Sequence, residues 1–160
     1  MTNNDVLRRL RYTFDFGDSK MMEIFSLAGF DAGRPQVCAW LKPEDDPEFT
    51  ECSDAFLAAF LNGLIIEKRG AKEGARPEPE TVLTNNIIFR KLKIALDLKA
   101  DDTLEILERG GMPLSKHELS AFFRKPGNRH FRACKDQVLR KFLKGIQMTY
   151  RPDVWGAAKE

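Results

Sequence analysis

The chain has 160 residues, 42% of them hydrophobic and 31% charged, with a formal net charge of +2. That balance suits a soluble globular protein and excludes a disordered one, and the length allows one ordinary domain or two small ones. The small net charge conceals an uneven spread: residues 1–70 carry 8 basic and 12 acidic side chains, and residues 83–160 carry 16 basic and 9 acidic.

Every predicted element is a helix. The first starts at Asn3 or Asn4, either of which can cap the free N–H groups of a helix start, and Leu7, Leu10 and Phe14 then share one face. A second begins near Ser19 and stops at Gly29, because glycine takes the left-handed conformation that closes helices. A third runs from about Arg34 to Lys42. The fourth spans Asp54 to Lys68, with Phe56, Leu57, Phe60, Leu61 and Leu64 as a wide apolar stripe. Its run from Ala55 to Ile66 is broken by Asn62 and Gly63, well short of the roughly 18 residues a membrane span needs. It reads as a buried helix.

The stretch Gly70 to Glu80 holds two glycines and two prolines without apolar periodicity, the composition of an exposed connector. The series then starts again. Asn85 or Asn86 caps a helix bearing Phe89, Leu92 and Leu96. The next runs from Asp101 to Gly110-Gly111, and a third from Lys116 to Lys125 opens with the capping box Ser115-Lys116-His117-Glu118. The last spans Asp136 to Thr149.

A shift of 82 positions aligns residues 2–69 with 84–151 without a gap, and 18 of the 68 positions are identical. They include Thr2/Thr84, Asn3/Asn85, Asn4/Asn86, Arg8/Arg90, Cys52/Cys134, Asp54/Asp136, Phe60/Phe142 and Gly63/Gly145. The expected fold is therefore all-α, two tandem four-helix repeats packed with pseudo-two-fold symmetry, because a unit this small buries little surface alone. The expected division is repeat 1 over 1–70, a linker over 71–83, repeat 2 over 84–151 and a tail over 152–160. Leu57, Phe60 and Leu61, with Leu139, Phe142 and Leu143, are the expected core.

No residue pattern names a reaction. Cys38, Cys52 and Cys134 are an odd number without CxxC spacing, which argues against disulfides and structural zinc and places the chain in a reducing cytoplasm. Residues Met1 to Asp5 begin no secretory signal. Only His117 and His130 are present, so neither a metal nor a cofactor is expected. Cys52 and Cys134 precede the fourth helix of each copy, where a helix N-terminus can activate a thiol; a small buried packing residue is the plainer reading. The repeated carboxylates Asp15/Asp97, Glu23/Glu105 and Asp54/Asp136 would have to converge for acid–base work, which no spacing requires. Arg8 and Arg90 are expected to pair with Asp15/Asp97 or Glu23/Glu105. Asp54 and Asp136 suit the positive end of a helix dipole.

The candidate binding residues are Arg124, Lys125, Arg129, Arg132, Lys135, Arg140 and Lys141, which with Lys144 crowd into 21 residues of the second copy. Such a cluster can follow a polyanion such as nucleic acid. The Gly110-Gly111 break before the Ser115-capped helix has the outline of a helix-turn-helix, although such patterns are common in helical bundles. Thr2-Asn3-Asn4-Asp5-Val6-Leu7-Arg8-Arg9-Leu10-Arg11-Tyr12, Phe60-Leu61-Asn62-Gly63-Leu64-Ile65 and Phe131-Arg132-Ala133-Cys134-Lys135-Asp136-Gln137 resemble the YehS-like bacterial family over residues 2–151. That resemblance implies a tandemly duplicated domain of unknown function and brings no catalytic residues with it. The functional expectation is a non-enzymatic helical binding module for an unknown protein or polyanionic partner, self-associating in one version, with nucleic-acid binding through the second repeat as the alternative. No membrane partner is expected.

Overall fold

A computed structural model of the chain describes residues 1–71 and 76–152. The expected linker residues 72–75 and the tail beyond 152 lie outside the described residues. Among the described residues the secondary structure is entirely helical: α1 (Asn3–Phe14), α2 (Asp18–Leu27), α3 (Arg34–Leu41), α4 (Asp54–Arg69), α5 (Asn85–Ala95), α6 (Ala100–Arg109), α7 (Lys116–Ala121) and α8 (Asp136–Tyr150). The chain divides into two compact units, Met1–Leu83 and the one beginning at Thr84. Each is a four-helix copy in the same order.

The helix starts differ from expectation in an informative way. Thr2 and Thr84, not the asparagines after them, are the caps: the Thr2 hydroxyl accepts the Asp5 N–H at 3.1 Å, and the Thr84 hydroxyl accepts that of Ile87 at 3.2 Å. Threonine is also a favoured cap residue, and its taking the cap releases both asparagines for work elsewhere. Ser115 and Glu118 close the expected capping box on α7. That helix stops at Ala121, four residues before the expected Lys125, because the loop beyond it claims its last carbonyls. The Ala121 carbonyl accepts the Arg132 N–H at 3.1 Å and the Phe122 carbonyl accepts the Asn86 side chain at 3.0 Å.

At the ends of α1 and α5 the chain turns through Asp15 (φ 55°) and Asp97 (φ 52°), in the left-handed region usual for glycine. The Phe16 and Leu98 N–H groups reach back to the Arg11 and Lys93 carbonyls, both at 3.0 Å. The two aspartates are thus helix-closing residues. Gly29 (φ 83°) and Gly111 (φ 97°) do the same for α2 and α6.

Each unit has its own core. Leu57, Phe60 and Leu61, and their copies Leu139, Phe142 and Leu143, are buried as expected. The aromatic partner of the repeated phenylalanine, however, comes from different helices in the two units. In unit 1 it is Phe25 of α2, 5.2 Å from Phe60 between ring centroids; in unit 2 it is Phe89 of α5, 4.3 Å from Phe142. The counterpart of Phe25 is Leu107 and that of Phe89 is Leu7, all four fully buried. The copies have exchanged a leucine and a phenylalanine between two positions, which preserves core volume while changing its arrangement.

A repeated glycine marks a close backbone approach inside each unit. A Cβ on Gly63 of α4 would lie 1.9 Å from the Ile24 carbonyl oxygen of α2, and one on Gly145 of α8 would lie 2.0 Å from that of Ile106 in α6. Part of the connector rests on unit 1: the Leu83 N–H donates to the Asp54 carboxylate at 2.9 Å, and the Arg76 side chain lies against Gly29.

Candidate interaction surface

The segments joining α3 to α4 and α7 to α8 are irregular chain held in one and the same frame. The released asparagines hold them. Buried Asn4 donates to the carbonyls of Trp40 and Thr50, both at 2.9 Å, and its side-chain oxygen accepts the Cys52 N–H at 3.0 Å. Asn86 donates to Phe122 (3.0 Å) and Arg132 (2.9 Å) and accepts from Cys134 (2.9 Å). Both side-chain donor hydrogens and the acceptor oxygen have a backbone partner, as burial of the asparagine requires. The neighbouring asparagines complete the clasp, Asn3 donating to the Cys52 carbonyl (3.0 Å) and Asp54 (2.7 Å), Asn85 to the Cys134 carbonyl (3.0 Å) and Asp136 (2.7 Å).

Within the loops the agreement extends bond by bond. Asp46 N–H to Pro43, Phe49 to Asp46 and Thr50 to Ala39 recur as Asn128 to Lys125, Phe131 to Asn128 and Arg132 to Ala121. Asp46 and Asn128 each accept, through the side chain, the N–H two residues on, at 2.8 Å. Arg8 and Arg90 brace the ends of α3 and α7 by donating to the Lys42 carbonyl (2.7 Å) and the Phe123 carbonyl (3.2 Å). Arg8 also pairs with Asp5 at 2.5 Å. The expected pairing of these arginines with Asp15/Asp97 or Glu23/Glu105 is therefore corrected: the free carbonyls at a helix end are nearer targets for a guanidinium.

On this shared frame the two loops carry opposite charge. Residues 42–54 hold one lysine against six carboxylates, a net −5, and residues 124–136 hold five cations against Asp136 alone, a net +4 with His130 neutral. Of the seven candidate residues, Arg124, Lys125, Arg129 and Arg132 lie in the α7–α8 loop and Lys135 is the residue at the start of α8. All five are exposed, and among the described residues none is within ion-pair distance of a carboxylate. Arg129 Nε makes a 3.1 Å contact with His130 Nε2. Arg140 is exposed on α8, whereas the half-buried Lys141 passes over Gly111 at the C-terminal end of α6, where a cation suits the helix dipole. The structure thus groups five of the seven and gives Lys141 a second, structural task.

The other candidate groups have local duties. Cys52 and Cys134 are buried, and desolvation, aided by Asp54 and Asp136 respectively, pushes each thiol up to about 12. They are neutral packing residues and not activated nucleophiles. Glu105 pairs with Arg109 at 2.7 Å on the surface of α6, and Glu23 with Lys20 at 3.3 Å on α2. His117 and His130 are exposed, and among the described residues no group of three His, Cys, Asp or Glu side chains could hold a metal ion. The helix that would enter a groove in a helix-turn-helix, α7, has only six residues. No helix among the described residues is long and apolar enough to cross a membrane.

Sequence reasoning missed the clasp, although its signal was present: Thr-Asn-Asn recurs, and 48 residues after each second asparagine comes Cys-x-Asp. Two clasped four-helix units in tandem define the chain as a duplicated helical domain. It belongs to a family described as a protein of unknown function (DUF1456), whose model matches twice, over residues 3–70 and 85–151. It is similar to the uncharacterized protein YehS of Escherichia coli (strain K12), 43% identical over 147 residues, which cover 91% of this chain and 94% of that one. No solved structure matches the chain.

Proposed function

We propose that the chain is a non-enzymatic helical interaction module whose α7–α8 loop receives an anionic protein partner. The observation that carries this reading is the sign change between equivalent loops: one backbone frame, fixed by the same hydrogen bonds, bears −5 in unit 1 and +4 in unit 2. The charge difference is therefore not needed for folding. Cations on an anchored loop lose little backbone freedom when a partner arrives, and their complementary field speeds encounter and selects the partner's sign. Arg124, Lys125, Arg129, Arg132 and Lys135 form the face, with Arg140 beside it on α8 and Lys141 at its margin.

The test titrates the full chain with a glutamate-rich peptide and, separately, with duplex DNA and with RNA over a range of salt. Binding of the peptide that weakens as salt rises is expected, because exposed charges are screened. Replacing Arg129, Arg132 and Lys135 with Ala lowers affinity by about tenfold or more and flattens the salt dependence, whereas Lys99→Ala outside the loop changes little. Preference for nucleic acid over the peptide at equal salt would replace the partner class, and no binding to any probe at low salt would remove the reading.

A further inference from the structure

The opposite loop also shapes a cavity. In unit 1 a hollow of ≈ 550 Å³ opens where the start of α1 meets the α3–α4 loop, and Met1, Asn3, Glu44, Phe49, Glu51 and Cys52 are among the residues that line it. The clasp builds it, since Asn3 and Asn4 tie residues 50–54 to α1 and so fix Phe49 and Glu51 from the backbone outward. Phe49 is itself held by its N–H on the Asp46 carbonyl at 3.0 Å.

Its chemistry is mixed. Glu44 and Glu51 are exposed, and among the described residues neither is within ion-pair distance of a cation. Phe49 adds an aromatic ring, and Met1 a thioether and the terminal ammonium, so the two glutamates still leave the lining net acidic. In unit 2 the ring persists as Phe131, but Pro126 and Ala133 stand where the two glutamates are. The acidic lining is thus particular to unit 1 and is not required by the clasp. The space is far larger than an inorganic cation needs and lies within the roughly 300–1,000 Å³ of small-molecule sites.

We propose that this cavity binds an aliphatic diamine or polyamine. Ammonium groups meet the carboxylates of Glu44 and Glu51 and the face of Phe49, to which cations are attracted by the ring quadrupole, and the methylene chain lies along Phe49 and Met1. An inorganic cation would use the carboxylates and leave the apolar wall idle; a neutral alcohol would do the reverse. The site lies on the other unit from the proposed interaction face, so either reading survives the failure of the other.

The test is an NMR titration of the full chain, following backbone amides at constant ionic strength, with 1,5-diaminopentane, spermidine, 1-pentanol, potassium ion and Nα-acetyl-lysine amide as separate probes. Saturable shifts confined to residues 2–4 and 44–52 are expected with the two amines and not with pentanol or potassium. Glu44→Gln with Glu51→Gln should weaken binding by about tenfold or more, and Glu105→Gln with Glu108→Gln on α6 should leave it unchanged. Both glutamates are exposed and outside the clasp, so their loss leaves the fold standing. Shifts spread over the whole acidic surface, or binding that persists in the Glu44/Glu51 variant, would overturn the proposal. Acetyl-lysine amide binding as tightly as the diamine would also overturn it, by assigning the cavity to a lysine side chain of a protein.

Discussion

Asn4 shows how much one side chain can hold. It is 2% exposed and satisfies three backbone groups that belong to the end of α3, to the loop and to the approach to α4. Truncating it leaves the buried Trp40 carbonyl and Cys52 N–H without their partner and frees the loop at Thr50, and each orphaned buried group costs roughly 1–3 kcal/mol. Asn4→Ala and Asn86→Ala should each destabilise the protein by about 3 kcal/mol or more, measured by denaturant unfolding; Asn4→Asp should fare no better, because a carboxylate cannot donate to Trp40 and Thr50. An effect within a few tenths of a kcal/mol would mean the clasp is ornamental. The buried thiols yield a second expectation. Their protonation is favoured in the folded protein, with burial raising the Cys52 and Cys134 thiols from the ordinary value of 9.0 to about 12. Folded protein therefore holds more protons than unfolded chain in that interval, and stability should fall as pH climbs from about 9 towards 12. Below pH 9 a thiol reagent should modify the half-buried Cys38 alone and reach all three cysteines only after unfolding. Rapid labelling of Cys52 or Cys134 in the native state would contradict their burial.

At the scale of elements, the helices and their apolar faces were legible because periodicity of 3.6 and glycine stops are local signals. Capping propensity points to Asn3 or Asn4 because it ranks residue types, and it does not see that Thr2, just before them, has already met the need. For α7 the first local stop is Pro126-Gly127, just after Lys125; what ends the helix sooner is a loop that returns eleven residues later, with Arg132 donating to Ala121. The aromatic exchange between Phe25/Leu107 and Leu7/Phe89 was equally hidden, since each position reads as apolar in both copies. Gly63 and Gly145 appeared only as repeated residues interrupting an apolar stripe. Their role lies in the crossing of α2 with α4 and of α6 with α8, where the approaching atom is a backbone oxygen that cannot rotate away. Gly63→Ala and Gly145→Ala, changes that would favour an isolated helix, should therefore destabilise by about 3 kcal/mol as the helices are forced apart. A rise in melting temperature in either variant would show that the helices have room to spare.

For the molecule as a whole, the duplication was readable from an ungapped 82-residue register, and the candidate cations were readable as a dense basic run. What the run meant was not, because charge in a sequence carries no sign of what lies opposite it in space. The structure supplies that comparison inside one chain: the acidic and basic loops occupy matching frames, so each serves as the control for the other. The cavity escaped notice for a related reason. Glu44, Phe49 and Glu51 have no suggestive spacing, and they meet Met1 and Asn3 only because the clasp folds the loop back to the start of α1.

The clasp separates the loop's anchors from its lettering. Asn4 and Asn86 grip main-chain atoms, so the side chains between the gripped points, apart from the turn-forming Asp46 and Asn128, are free to change without the fold registering it. Each loop is in effect an exchangeable cassette: residues 43–51 and 125–133 should transplant between the units with little loss of stability, as measured by denaturant unfolding, and their charge should travel with them. A chain with both cassettes basic, or both acidic, should fold as the parent does while changing the sign of what it attracts. Gene duplication followed by such rewriting yields two faces of opposite charge from one scaffold, and the same freedom makes the protein a frame on which loops of other composition can be installed.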